Sequence, residues 1–542
     1  MNSATLHSSI SFQRMNKNKI SVFLPIFFSV AVILGMLIGY KLHSNMPTTK
    51  SFFGNASSST VNEILQLVKQ RYVDTVDSKA LSNSAVASML EKLDPHSIYI
   101  PSQDVNEINE DLEGNFQGIG IEFNVMNDTV NVFNIIKGGP SQAAGLEIGD
   151  KILKVDDRNA VGLKDSDQFK KWVKGPQGTS VTLTILRGDK SFTKKIMRDY
   201  VPVTSLDAYY MIDKNKGYIR LNRFSNNTYK EFIEALEYLK SKGMNNLVLD
   251  LRDNGGGILE EAVDIIDELV GGDQLLVYTE GINSPKKEYK AKRKGIFEDG
   301  KIVIILNEGS ASASEVIAGA LQDLDRAEIV GRRSFGKGLV QEQFTLSDGA
   351  ALRLTTARYY TPLGRSIQKP YDKGVDQYAM EVMERYHNTQ SQSIDSLSIE
   401  KRRFVTTKKG KKLYGGGGIT PDQFVPLEQY AIDSNLNIFF RLNMLNNFSY
   451  LYYLQHQKAI KDYPSFQQFY TSFQVEESSI AQLIKEAEKL SSKKIILNKE
   501  QVNFLKERIR ALIARFVWNQ TGFYYVINGT DKTYIKAAGI LN

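Results

Sequence analysis

The chain has 542 residues, 42% hydrophobic and 24% charged, which excludes a mostly disordered or fibrous protein and predicts three or four folded units. Its 68 basic and 61 acidic residues leave a net charge of +7, too dilute over this length to point to nucleic acid as a partner. Cysteine is absent, which removes disulfides, thiol nucleophiles, thiolate zinc sites and iron–sulfur clusters, and the five histidines are His7, His43, His96, His387 and His456.

Residues 1–19 carry Arg14, Lys17 and Lys19 and no acid; the run Ile20 to Tyr40 follows without a charge. At about 1.5 Å per residue that run spans roughly 30 Å, the thickness of a bilayer core. The basic flank predicts a cytoplasmic tail, a single transmembrane anchor over 20–40 and export of the remainder. A cleaved signal peptide is the lesser alternative, because the run is long and no A-x-A site follows it. Residues 41–58 read as a flexible linker. Residues 59–113 carry apolar positions at helical spacing (Val61, Ile64, Leu65, Val68, then Ala85, Val86, Met89), and the helix breaks at Leu93-Asp94-Pro95-His96-Ser97. Residues 114–200 switch to short β-branched runs such as Val181-Thr182-Leu183-Thr184-Ile185, separated by turn residues.

From 201 to 426 strands and helices alternate, the mark of an α/β layer with mainly parallel pairing. Within it, residues 371–412 are polar and read as a surface insertion. Residues 427–542 read as helical and aromatic. The apolar face of Val502 to Trp518 (Phe504, Leu505, Ile509, Leu512, Ile513, Phe516) suits either core packing or docking of an adaptor or a second copy.

Ligands of open α/β sheets bind beyond the carboxyl ends of strands, and three loops lie there. The first is Arg252-Asp253-Asn254-Gly255-Gly256-Gly257, whose glycines free backbone N–H groups just before a helix. The second, Glu308 to Glu315, sets serines at a helix start, where a hydroxyl nucleophile and the N–H of Ala313 can coincide. The third, Ser334-Phe335-Gly336-Lys337-Gly338, holds a lysine that burial would turn into a general base. None of the five histidines lies in the sheet segment, about 201 to 370, so a Ser–Lys pair is the economical reading. Ordinary alternatives exist for each loop: serines cap helices, and glycine-flanked lysines sit in solvated turns.

Ser310-Ala311-Ser312-Ala313-Ser314-Glu315, then Phe335-Gly336-Lys337-Gly338 and Gln341, resemble the carboxyl-terminal processing peptidases, or tail-specific proteases. The resemblance covers most of 60–425. Leu93 to Ser97 resembles their N-terminal helical segment, and Thr355 to Pro362, Gly364 to Gln368 and Gly418 to Asp422 also match. Gly118-Ile119-Gly120-Ile121 resembles a PDZ carboxylate-binding loop. Leu249 to Gly257 is similar to the family's glycine loop, with Gly255 where proline is frequent.

The resemblance implies a multidomain α/β and α+β protein: a crotonase- or ClpP-like α/β protease core, a PDZ domain over 114–200, an N-terminal helical segment and a helical C-terminal extension. It implies Ser312 as nucleophile, Lys337 as base and Gln341 as the residue orienting the lysine. The oxyanion donors would be Ala313 and either Gly256 or Gly257. Substrate tails with free apolar C-termini would add beside Gly118, Ile119, Gly120 and Ile121. With HExxH and carboxylate clusters missing, neither metal nor cofactor is expected. The export signal and the family together imply an inner-membrane protein with its protease in the periplasm. A tail-binding scaffold without catalysis is the competing class. A penicillin-binding acyltransferase is disfavoured: Ser334-Phe335-Gly336-Lys337 fits S-x-x-K, but the companion motifs are missing.

Overall fold

The computed structural model describes residues 56–387, 404–428 and 433–542. The expected tail 1–19, the anchor 20–40 and most of the 41–58 linker lie outside the described residues. Among the described residues no helix is long and apolar enough to cross a membrane.

The described chain begins with the helix Ala56–Arg71, which ends on Lys69 and Arg71, cations that suit a helix C-terminus. Its Val61, Ile64 and Leu67 are exposed. The next helix, Ser78–Glu91, starts where the Asp77 carboxylate accepts the N–H groups of Lys79 and Ala80.

The second compact unit runs from Val86 onward. Its first module is a sheet of strands Ile121–Met126, Thr129–Ile135, Lys151–Val155, Ser180–Arg187 and Lys190–Met197, joined antiparallel in that order. Period-two alternation sends Val181, Leu183 and Ile185 inward, all fully buried. The first hairpin turns at Asn127-Asp128, both with positive φ, as a tight two-residue turn requires. A ribbon of Asn115–Gly118 against Asp199–Pro202 brings the entry and exit of the module together.

The central sheet has the order Leu206–Met211, Lys216–Leu221, Asn246–Asp250, Lys301–Leu306, Ala327–Gly331, Gln423–Phe424, parallel after the first pair. Its inner strands are apolar on both faces, so both faces must be covered. Helices Thr228–Ser241, Leu259–Leu269 and Ala313–Asp323 cover one face, over Leu247, Leu249, Ile302 and Ile304. The C-terminal helix Lys532–Ile540 covers the other: Tyr534, Ala537 and Leu541 pack with Tyr218, Val248, Val303, Ile305 and Val330. A second sheet carries Ile98–Ile100, Leu339–Thr345, Ala351–Tyr360, Leu275–Gly281 and Ser284–Lys290.

One expectation needs revision and one open alternative is decided. The stretch 371–412 is not simply a polar surface excursion. It contains the helix Val375–His387 and the hairpin Phe404–Thr406/Lys412–Tyr414. Tyr378 of that helix is buried, and Arg385 donates to the carbonyls of Ser334 and Phe335, so polar side chains there serve main-chain acceptors. Composition cannot separate such residues from solvated ones.

The region after 427 is helical, as expected, but the Val502–Trp518 face is not a free surface. Leu505, Ile509 and Ile513 are fully buried with Phe439 and Phe469. The same helices touch the β-module. Phe133 stacks on Tyr450 at 4.1 Å, and Arg515 pairs with Glu122 at 2.6 Å.

Candidate active site

The loop after strand Lys301–Leu306 contains three serines, and their surroundings differ. Ser310 is buried; its hydroxyl donates to the Leu251 carbonyl at 2.8 Å and accepts the Asn307 N–H at 3.0 Å. Ser314 is buried and donates to the Asn254 carbonyl at 2.9 Å. Both tie this loop to the 251–254 turn. Among the described residues the Ser312 side chain is tied to no other loop; it takes part only in a local capping box with Glu315. It stands immediately before the helix Ala313–Asp323, with φ 54° and ψ −115°. A β-carbon-bearing residue rarely holds such a conformation, and such strain gathers at functional sites.

Ser312 lines a cavity of about 310 Å³ together with Ala313, Lys337, Gln341, Arg353, Tyr359 and the glycines 255–257. Ala313 is the first residue of its helix, so its N–H has no partner within the helix. Gly256 (φ +97°) presses against this turn: a β-carbon there would lie 2.6 Å from Ser312 Cβ. Its N–H already donates to Asn254 Oδ1 at 2.9 Å. Of the two glycines left open by the sequence, Gly257 is the one without this bond.

Lys337 reaches the cavity from the loop before strand Leu339–Thr345. Its Nζ donates to Gln341 Oε1 at 2.9 Å, and Gln341 Nε2 donates to the His96 carbonyl at 2.9 Å. Burial pushes the lysine pKa below its ordinary value, and Arg353 adds to the effect; Glu315 and Asp94 oppose it. The nucleophile candidate, the lysine and the glutamine therefore line one cavity, and no histidine is among its described lining residues.

Four residues passed over by the sequence reading hold this arrangement. Glu315, fully buried, accepts the N–H groups of Ser312 (2.9 Å), Gly336 (2.7 Å) and Lys337 (2.8 Å) and the Ser334 hydroxyl (2.5 Å). Burial pushes its pKa up to about 7. The Tyr359 hydroxyl lies between the carbonyls of Ser312 (3.1 Å) and Lys337 and donates to one at a time. One carboxylate and one phenol thus join the serine loop to the lysine loop through main-chain donors and acceptors. Asp94 shapes the turn behind Gln341 by accepting the N–H groups of His96 (2.8 Å) and Ser97 (2.9 Å). His96 Nε2 is 2.9 Å from the Tyr378 hydroxyl, and burial, followed by the nearby Lys337, pushes its pKa down to about 4. The one signal available was the Ser312-x-x-Glu315 spacing of a capping box.

In the β-module, Gly118, Ile119 and Gly120 are buried at the mouth of strand Ile121–Met126, with Ile119 in the core. Gly120 (φ +77°) approaches Gly139 closely enough that a β-carbon would meet its Cα at 3.3 Å. The strand is an edge, and its Phe123 meets Phe169 of helix Ser166–Val173 with ring centroids 4.5 Å apart. Phe169 and Val173 are core residues. Among the described residues no group of three or more His, Asp or Glu side chains is placed to hold a metal ion.

Residues 215–377 match peptidase family S41, residues 117–196 match the PDZ domain, and residues 436–519 match a family of unknown function. Over 312 residues the chain is 36% identical to the carboxy-terminal-processing protease of Bartonella bacilliformis, covering 56% of this chain and 71% of that protein. The chain belongs to the carboxy-terminal-processing protease family. It is a serine endopeptidase with an S41 α/β core, a PDZ domain and a helical C-terminal region. It is also 32% identical over 385 residues to the "Probable CtpA-like serine protease" of Staphylococcus epidermidis, covering 69% of this chain and 77% of that protein. A solved structure, the photosystem II D1 C-terminal processing protease, is 28% identical over 58% of this chain and 90% of that chain, with a TM-score of 0.34.

Proposed function

We propose that this carboxy-terminal-processing protease cuts peptide bonds with a Ser312–Lys337 dyad. The neutral lysine takes the Ser312 proton as the hydroxyl attacks the scissile carbonyl, and an acyl-enzyme forms as the amine leaves. Lys337 then removes a proton from water, which releases the acyl group. Gln341 holds the amine in place. The N–H groups of Ala313 and Gly257 receive the oxyanion. The observation that carries this reading is the shared cavity, lined both by Ser312 at a helix start and by a lysine that burial keeps short of its ordinary basicity.

The PDZ domain selects substrates. A tail with a free apolar C-terminus adds to strand Ile121–Met126, its carboxylate taken by N–H groups of the Gly118-Ile119-Gly120-Ile121 loop. The run Ile20–Tyr40 anchors the chain in the inner membrane, with the protease in the periplasm.

Ser312→Ala and Lys337→Ala should each lower kcat by at least about 10³-fold on a peptide with an apolar free C-terminus, while the circular-dichroism spectrum stays unchanged. Turnover within tenfold of wild type in either variant removes the dyad. Amidating the peptide's C-terminus should raise KM; an unchanged KM counts against PDZ capture. Carbonate-resistant membrane pelleting, together with protease accessibility in spheroplasts, checks the location.

A further inference from the structure

Arg353 stands on strand Ala351–Tyr360, opposite Gln343 on one side and Ile98 on the other. It lines the cavity that holds Ser312 and Lys337. Its Nη2 donates to the Gln343 amide oxygen at 3.0 Å, and it forms no ion pair among the described residues. No carboxylate is among the described residues that line the cavity. Leu112, Leu259, Val316, Leu339 and Val340 make up much of the remaining wall. Burial pushes the guanidinium pKa below its ordinary value, a sign that its charge has lost water without gaining an acid.

Two buried arginines elsewhere have acids for partners. Arg365 is matched to Asp323 and Arg332 to Glu308, both as buried pairs. Arg353 has only a neutral amide. It also faces the lysine: of the groups around Lys337, Arg353 disfavours its protonation, and Glu315 and Asp94 favour it. A fixed cation inside an apolar, acid-free cleft attracts negative charge, and a guanidinium fork fits a carboxylate in two-point contact.

We propose that Arg353 is a specificity-determining residue that pairs with an acidic side chain of the substrate next to the scissile bond. The proposal rests on the Ser312–Lys337 reading of the site. It gives the protease two independent filters, an apolar free C-terminus at the PDZ domain and a negative charge at the point of cleavage.

The test uses matched peptides with one apolar C-terminus that carry Glu, Gln or Lys at either position flanking the cleaved bond. The readout is the ratio of kcat/KM values, which does not depend on the fraction of enzyme that is folded. At one flanking position the wild type should favour Glu over Gln by about tenfold, with Lys slowest. Arg353→Gln should bring the Glu/Gln ratio to one, Arg353→Lys should restore part of it, and Arg353→Glu should invert the order toward Lys. Equal rates for Glu, Gln and Lys in the wild type, or a preference for Glu that survives Arg353→Gln, overturn the proposal while leaving the dyad standing. Cleavage by Ser312→Ala would instead overturn the dyad.

Discussion

Glu315 and Asp250 are both carboxylates with no exposed surface, each set at the edge of the central sheet, yet they answer burial in opposite ways. Asp250 ends strand Asn246–Asp250 and meets two guanidiniums, Arg252 at 2.6 Å and Arg220 at 3.0 Å, as well as the Tyr218 hydroxyl at 2.8 Å. Burial alone would raise its pKa, but Arg252 and Arg220 outweigh burial and hold it well below the usual range. Glu315 forms no ion pair among the described residues. Three N–H groups and one hydroxyl only partly offset its desolvation, and it titrates at about 7. The first carboxylate is a fixed charge that pins strand ends. The second joins two catalytic loops through neutral donors and keeps its proton in play near neutral pH.

This contrast can be broken by experiment. Asp250→Asn removes the carboxylate shared by two buried guanidiniums, leaving Arg252 with Asp531 and Arg220 with Asp207, and should cost about 3 kcal/mol in urea unfolding. For Glu315 the effect lies in pH. Its folded pKa exceeds the unfolded value, so the native state holds the extra proton between about 4.5 and 7. Stability should therefore fall as pH rises through that window, by about 3 kcal/mol, and Glu315→Gln should flatten the slope. The Asp250 contribution runs the other way: it is present above the unfolded value of about 3.9 and is lost as pH falls through the lower folded value.

Glu315→Gln also puts an NH2 among N–H donors, and kcat should drop more than tenfold. Tyr359→Phe removes a single donor between the two loops; about 1 kcal/mol of stability and a lesser loss of kcat should follow. The smallest effect concerns the lysine. Activity should rise with pH as Lys337 loses its proton, with a midpoint below that of free lysine. Arg353→Gln should shift this midpoint upward by a fraction of a unit.

The sequence disclosed what is local. The strand-and-loop alternation located the three loops, and the motif distinguished Ser312 from its neighbours before the hydrogen bonds of Ser310 and Ser314 did so. It did not disclose partners separated along the chain. Glu315 reads as an ordinary helix-cap glutamate until Gly336 and Lys337 fold onto it. Asp94 reads as a helix stop until Gln341 reaches the His96 carbonyl. Nothing in the sequence marks Tyr534 and Leu541 as neighbours of Val303 and Val330. In 371–412 a polar composition hid Tyr378, which meets the distant His96 side chain, and Arg385, which serves the carbonyls of Ser334 and Phe335.

The helix that roofs the rear of the central sheet follows every strand of that sheet along the chain. On a chain that emerges from its N-terminal side, Tyr218, Val303, Ile305 and Val330 stay bare until residues 532–541 arrive. A chain halted between Phe424 and Lys532 is therefore an intermediate with an unsealed sheet, whatever the state of its loops.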